Sequence, residues 1–410
     1  MGMYYKNAVL TLAAGSSQDV QESFLQPTQR HDDTITTFKF RDSTGQEYPV
    51  LCRQVPDYAG ISLVSNSALA SRGWTWQENV LSTRIAHFTK SGIVWECRSG
   101  QKFQDGATIS CTAGLCYRFA NASGTLEHRW KALIADYSER ELTKDTDRLP
   151  AIAGVASETH LQDPSGTYMA GIWKQWLFSE LLWYTSWGER NNFPPKPISL
   201  DDMPSWSWAS TVCRIFYRFE ACEKSEKRAA FTLLDFDCTP RTSNIYGQVK
   251  RHASITLEAL LFEVQLSGLQ STNGSGHSIL VDGARPAYAV ISPDSILLEE
   301  EDEDFEFLAN ASLPDLSLVR RIRPGEPLPG GDSGVSATAL CMYLGGGRYV
   351  GVPDEKFPRL RSVTERHFYL LLGPVHGYPS APNLVLSRLG MLEMGVKPPR
   401  TATRRRVALL

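Results

Sequence analysis

Glu78 stands one helical turn after Trp74, in the run Arg72-Gly73-Trp74-Thr75-Trp76-Gln77-Glu78. A carboxylate beside indole rings is partly desolvated, which raises its pKa and poises it to give or take a proton. The same glutamate also has a structural reading, bonded to backbone N–H groups or paired with Arg72 or Arg84. Trp74, Gln77, Arg72 and Arg84 are the side chains that would support a site at Glu78. His87 lies in a stretch of alternating polarity and reads as a core or hairpin-pairing histidine rather than a general base. Arg72, Arg84, Arg140 and Asp147 read as buried structural pairs.

The other candidate motifs carry less. Gly331-Asp332-Ser333-Gly334 resembles the turn around a protease serine, but no histidine–aspartate context accompanies it. Gly345-Gly346-Gly347 follows a strand with no helix after it, which excludes a dinucleotide fingerprint. HExxH, P-loop and GxSxG patterns do not occur. The eight cysteines include no CxxC pair, so they form neither a zinc ribbon nor a disulfide framework. They read as reduced thiols of a cytoplasmic protein. The tryptophans sit at helical spacing and have few cations between them, which suits a core rather than a base-stacking platform.

The elements that must hold these residues follow from hydrophobic period. Residues 3–8 read as the end of a helix and 9–13 as a buried strand. Strands are expected at 36–40 and 48–52, and a helix over about 69–82 with Trp74, Gln77, Glu78 and Leu81 on one face. Arg84–Phe88 and Ile93–Cys97 flank a hairpin turn. Residues 127–137 form an amphipathic helix, with Trp130, Leu133, Ile134 and Tyr137 facing inward. Ser138 and Glu141 have capping-box spacing. Pro150 sits in the first turn of a following helix. An aromatic helix is expected over 168–184, with the segment Pro204–Ser210 docked on such helices.

From about 211 the period changes to two, with strands expected at 211–219, 229–237, 253–266, 278–282, 287–291, 338–344, 367–372 and 383–389. That spacing predicts an antiparallel sandwich or barrel-like module. The acidic block 299–304 reads as a solvated insertion. Arg400, Arg404, Arg405 and Arg406 read as a solvated, disordered end, with a weak nuclear signal as the alternative.

All ten tryptophans lie between 74 and 208, the clearest compositional boundary in the chain. The expected divisions are therefore 1–100, a Trp-rich helical extension at 101–210, a β-rich module at 211–395 and a basic tail at 396–410. A net charge of −3 gives no pointer to nucleic acid or an anionic membrane, and neither is expected as a partner. Apolar runs fall far short of the ~20 residues that span a bilayer. Residues 8–14 suit a strand better than a signal peptide, and Lys6 occupies the position where myristoylation wants Ser or Thr.

The block Arg72-Gly73-Trp74-Thr75-Trp76-Gln77-Glu78, with Leu81-Ser82, Arg84, His87-Phe88 and Trp95-Glu96-Cys97, closely resembles the hallmark of the fungal heterokaryon-incompatibility (HET) domain. The likeness continues through Met3–Ala14, through Trp130 with Tyr137-Ser138, Arg140 and Leu142-Thr143, and through Asp147–Gly154. Further elements are Tyr168, Ala170-Gly171, Trp173, Leu181–Trp183 and Pro204–Ser210, so it covers roughly residues 1–210. The family's opening ALSYxWG-like strand and WIDxxCIxQ-like segment are not found, and the chain is expected to begin in the second half of such a domain.

What the resemblance implies is an α/β fold, a partial HET/TIR-like three-layer unit, acting in non-self recognition and programmed cell death. Through the suggested kinship with TIR domains it implies Glu78 as a catalytic glutamate, with NAD as substrate and no resident cofactor. There the carboxylate would stabilise positive charge on a ribose as nicotinamide leaves. The alternatives are a non-enzymatic module that works through self-association or a protein partner, and an inactive truncated remnant.

Overall fold

The structure is a computed structural model of the 410-residue chain. It describes residues 2–17, 19, 21–25, 36–52, 64, 67–90, 92–104, 106–110, 124–185, 196–217, 228–267, 278–280, 289–293, 297–300, 318–321, 336–350, 363–375 and 384–410. Cys111, Cys116, Cys222, the 331–334 turn and residues 301–304 of the acidic block lie outside the described residues. The chain mixes helices with sheets and forms two compact units, 1–124 with 140–142, and 125–139 with 143–410. The sequence suggested boundaries near 100 and 210; the contacts divide at 124 and group the Trp-rich segment with the β-rich one.

In the first unit, helix α1 (Gly2–Asn7) leads into strand β1 (Thr11–Ala13). Next come an exposed hairpin of β2 (Thr36–Arg41) and β3 (Glu47–Cys52), and helix α2 (Gly73–Leu81). Strands β4 (Arg84–Thr89), β5 (Gly92–Cys97), β6 (Gly100–Phe103) and β7 (Thr108–Ser110) follow. They form a five-stranded sheet in the order β1-β4-β5-β6-β7, antiparallel except for the parallel pair β1–β4. One face buries Ile85, His87, Val94, Glu96 and Phe103. The opposite face exposes Leu12, Ile93 and Trp95, while its Phe88 packs on Phe24 at 5.1 Å; helix α2 buries Trp76, Gln77 and Leu81 in the same unit. The strand expected to be buried at 9–13 is short and exposed instead, with Val9 82% and Leu12 59% accessible.

The second unit begins with helix α3 (Leu126–Tyr137), capped by the Thr125 side chain, which accepts from the His128 N–H. Trp130, Leu133, Ile134 and Tyr137 are buried as their spacing predicts. Ser138 and Glu141 do not form a capping box. The Ser138 N–H closes the end of α3 on Ile134, and its hydroxyl accepts from the Ile215 N–H at 2.8 Å. A 3₁₀ turn with Pro150 at its start opens helix α4 (Ala153–Gln162), as expected. The aromatic helix expected at 168–184 is absent. In its place stand a two-residue hairpin, β8 (Tyr168–Met169) and β9 (Ile172–Trp173), the one-turn helix α5 (Leu177–Glu180), and strand β10 (Trp183–Thr185). Ala170 and Gly171 at the hairpin tip have φ of 45° and 95°, values a continuous helix cannot contain. Pro204–Ser210 docks on that tip: Ser207 Oγ donates to the Ala170 carbonyl and Trp208 Nε1 to that of Gly171.

Small ladders follow, β11 (Lys196–Pro197) with β12 (Thr211–Val212), and β10 with β13 (Ile215–Tyr217). The rest is one eleven-stranded sheet. Its strands are β14 (Arg228–Ala229), β15 (Thr232–Asp237), β16 (Ser254–Ser267), β17 (Ser278–Leu280), β18 (Ala289–Pro293), β19 (Leu297–Glu300), β20 (Leu318–Arg321), β21 (Ser336–Val350), β22 (Val363–Pro374), β23 (Leu384–Met394) and β24 (Thr403–Leu409). Each period-two segment named above contributes to a strand.

Strand β16 pairs with β24 through residues 255–261 and with β21 through 261–267. Since β21, β22, β23 and β24 are neighbours in turn, five strands close into a ring. An odd ring cannot alternate direction throughout, and the forced parallel contact falls between β23 and β24. Phe262, Val264, Cys341, Tyr369, Leu371, Leu389, Leu392 and Met394 fill it.

The basic tail is therefore not disordered. Arg404, Arg405 and Arg406 lie in β24, and the alternation ends in buried Val407 and Leu409, which fix the strand in the ring. Arg388 of β23 is fully buried and donates to the carbonyls of Leu181 at 2.8 Å and Trp183 at 2.5 Å. Its guanidinium lies 3.5 Å from the centre of the Trp183 ring. Its own N–H donates to Ser205 Oγ, whose hydroxyl in turn donates to the Leu410 carbonyl. Replacing Arg388 by Met keeps apolar volume but leaves two buried carbonyls without these donors. The expected loss is about 2–5 kcal/mol in urea unfolding, against less than about 0.5 kcal/mol for exposed Arg405→Ala.

Candidate functional site

Helix α2 starts at a tight junction. The Gly73 N–H donates to the Glu141 carbonyl at 2.7 Å, the Glu141 N–H to Ser71 at 2.7 Å, and an Arg140 Nη to the Ala70 carbonyl. A Cβ on Gly73 would meet Leu142 at 2.5 Å, so only glycine admits this approach. Thr75 Oγ1 donates to the Arg72 carbonyl at 2.8 Å and ties the first turn. At the other end, Ser82 closes the helix on the Glu78 carbonyl and meets Thr11 of β1 at 2.8 Å.

The buried stripe of α2 is Gly73, Trp76, Gln77 and Leu81. The helix is thus rotated from the face expected: Gln77 and Leu81 point inward, Trp76 takes the central place, and Trp74 and Glu78 lie half-buried on the flank. Burial pushes the Glu78 carboxyl above its ordinary value. A hydrogen bond from the Tyr5 hydroxyl and the nearby charge of Arg72 oppose that shift. Tyr5, on α1, is itself pushed up by burial and by the Glu78 charge. The structure therefore places Glu78, Tyr5 and Arg72 together. Arg72 and Arg84 are exposed, which corrects their reading as buried pairs, and Arg84 makes no ion pair among the described residues. Arg140 is tied to a backbone carbonyl, and the neighbour of Asp147, Arg148, is buried.

His87 is a core histidine: its Nε2 lies 2.8 Å from Glu96 Oε2, and both residues are buried. The pair satisfies its own polar atoms in the shared core. Cys97, at the end of β5, differs from an ordinary thiol. Burial pushes it up, but the N–H groups of Ser99 and Gly100, the Trp95 indole and the Ser99 hydroxyl outweigh that and lower it.

A second cluster of ionisable groups, not foreseen from sequence, lies in the second unit. Glu180 is fully buried, accepts from the Trp173 N–H at 2.7 Å, and is pushed well above the carboxylate range by burial, with Lys131 opposing. Lys131 is itself buried against Glu127 at 2.6 Å, and Ser179 Oγ donates to the same carboxylate. Tyr168, on which the Glu180 charge acts, packs edge to face with Trp130 and Trp173, and those two do so with each other. The one available signal was a lone acid inside the apolar run Leu177–Trp183. The ring centroids stand 5.3–6.3 Å apart, which is direct packing and leaves no place for a guest between them. Glu78 remains the half-exposed acid with a phenol donor and a cation beside it. Among the described residues no cluster of His, Cys, Asp and Glu could hold a metal ion, and no helix is long and apolar enough to cross a membrane.

Comparison with protein-family models, with curated proteins and with solved structures gives no match.

Because the folded-state pKa of Glu180 is raised, the stability it supports is fully present below the ordinary value of 4.5 and is lost as pH rises through its folded value. Glu180→Gln keeps an oxygen for the Trp173 N–H but does not titrate. Urea unfolding should show the variant gaining on the native protein from acid to neutral pH; a pH-independent difference would contradict a buried, titrating Glu180.

Proposed function

We propose that the protein is a cytoplasmic HET-domain effector of fungal non-self recognition, whose activation leads to vegetative incompatibility and cell death. The observation carrying this reading is that three separate segments resembling the HET signature converge in one unit. Tyr5 of the first meets Glu78 of the second, and Gly73 of the second packs on Leu142 of the third. The chemistry supported best is TIR-like NAD cleavage at Glu78. Water would replace nicotinamide at the ribose carbon, and the carboxylate would stabilise the positive charge that develops as the C–N bond breaks. Tyr5 and Arg72 would set its protonation.

A second reading, a non-enzymatic interaction module, is favoured by the apolar side chains that the five-stranded sheet exposes. Expression in fungal cells separates the two. If Glu78 is catalytic, the native chain lowers cellular NAD and arrests growth, and Glu78→Gln removes both effects, a loss of roughly 100-fold or more in NAD turnover. Equal NAD loss and toxicity with Glu78→Gln would sink the catalytic role. Killing without NAD loss would favour the interaction module.

A further inference from the structure

The face of the β1-β4-β5-β6-β7 sheet opposite Ile85, His87, Val94 and Glu96 exposes several apolar side chains. Register puts Leu12, Ala86, Trp95, Lys102 and Thr108 in one row across the five strands. Arg84 and Cys97 stand together in the next row, and Phe88 and Ile93 in the row on the other side. Leu12 is 59%, Ile93 38% and Trp95 37% exposed, on the face opposite buried Ile85, His87, Val94 and Glu96. Phe24 packs edge to face on Phe88 at 5.1 Å at one side of this face, and a largely antiparallel sheet can leave the rest of such a face to solvent or to a partner. The strand residues of this face include no acid, while Arg84 and Lys102, to either side of Trp95, are exposed and make no ion pair among the described residues.

We propose that this face docks an amphipathic helix of a partner protein, whose apolar stripe covers Leu12, Ile93 and Trp95 and whose flanking acidic residues meet Arg84 and Lys102. A helix is the element that covers a twisted sheet, and laid across the strands it meets Leu12 and Trp95 of one row and Ile93 of the next. Unpaired cations at the rim of an apolar centre select an acidic partner and reject a basic one. The inference concerns a different surface from Glu78 and does not depend on NAD chemistry.

The probe is a labelled synthetic helix with a leucine stripe flanked by glutamates, and its twin with lysines in their place, titrated with the full chain by fluorescence anisotropy. The glutamate helix should bind at least about tenfold more tightly than the lysine twin. Arg84→Glu with Lys102→Glu should reverse that order, and Trp95→Ser should weaken both. The charge changes are on exposed side chains, so this double variant remains informative if Trp95→Ser fails to fold, with circular dichroism as the check. Absence of binding, or a preference that survives charge reversal, would overturn the proposal. So would concentration-dependent dimerisation in sedimentation that Leu12→Glu abolishes, since a second copy would then occupy the face.

Discussion

The buried guanidinium of Arg388 organises much of the second unit. Arg388 projects from a barrel strand, donates to the carbonyls of Leu181, just before β10, and of Trp183, its first residue, stacks on the Trp183 indole, and has its own backbone anchored on Ser205. A buried cation is costly unless its donors are satisfied, so the surrounding chain has to present carbonyls at fixed positions. That requirement ties the Trp-rich segment to the barrel more specifically than apolar packing could, since indoles and leucines slide where hydrogen bonds do not. Arg148 does the same on a smaller scale. It donates to the Ser138 carbonyl at 3.0 Å and lies over the rings of Tyr137 and Trp208. Burial pushes its pKa down.

The first unit depends on close backbone approach rather than on a buried charge. Gly73 lets residues 140–142 pair with the segment before α2, and this fixes the helix that carries Glu78. Trp76 and Gln77 then choose which side is buried, which leaves Glu78 at the boundary between protein and water. Such a position raises a carboxyl while keeping it reachable, a combination that neither full burial nor full exposure gives. Glu96 and Glu180 are acids too, but the first is buried against a histidine and the second is fully buried on the Trp173 N–H.

Much of the fold was legible because period-two and period-3.6 patterns survive folding. The strands at 253–266, 338–344 and 367–372 and the helix at 127–137 are placed by that signal alone. It failed at 168–184, where Ile172, Trp173, Trp176 and Leu177 mimic a helical face; the positive φ at Ala170 and Gly171, set by docking of Trp208, turns the chain instead. It failed again at 400–406, where four arginines concealed the alternation of Val407 and Leu409. The site was legible in part. Glu78 is visible as a glutamate after a tryptophan, but Tyr5 reaches it only through tertiary structure. The burial of Arg388 and Glu180 likewise arises from contacts that no local pattern encodes.

Strand β16 serves both sides of the ring, and this shapes how the barrel can form. Its first half pairs with residues 403–409 and its second half with 336–342. Neither partner is near in sequence, so the cost of closing long loops comes before any ladder contact repays it. Until both arrive, β16 is held only by its near neighbours in sequence, β15 on residues 254–258 and β17 on residues 265–267, and the edges meant for β24 and β21 stay open beside Leu257, Leu261, Phe262 and Val264. Folding of this unit should then be slow for its size, and the period before closure is when one copy can pair with another. Molecules held in that interval by a chaperone would reach the closed ring, and those left alone at high concentration would aggregate through this strand.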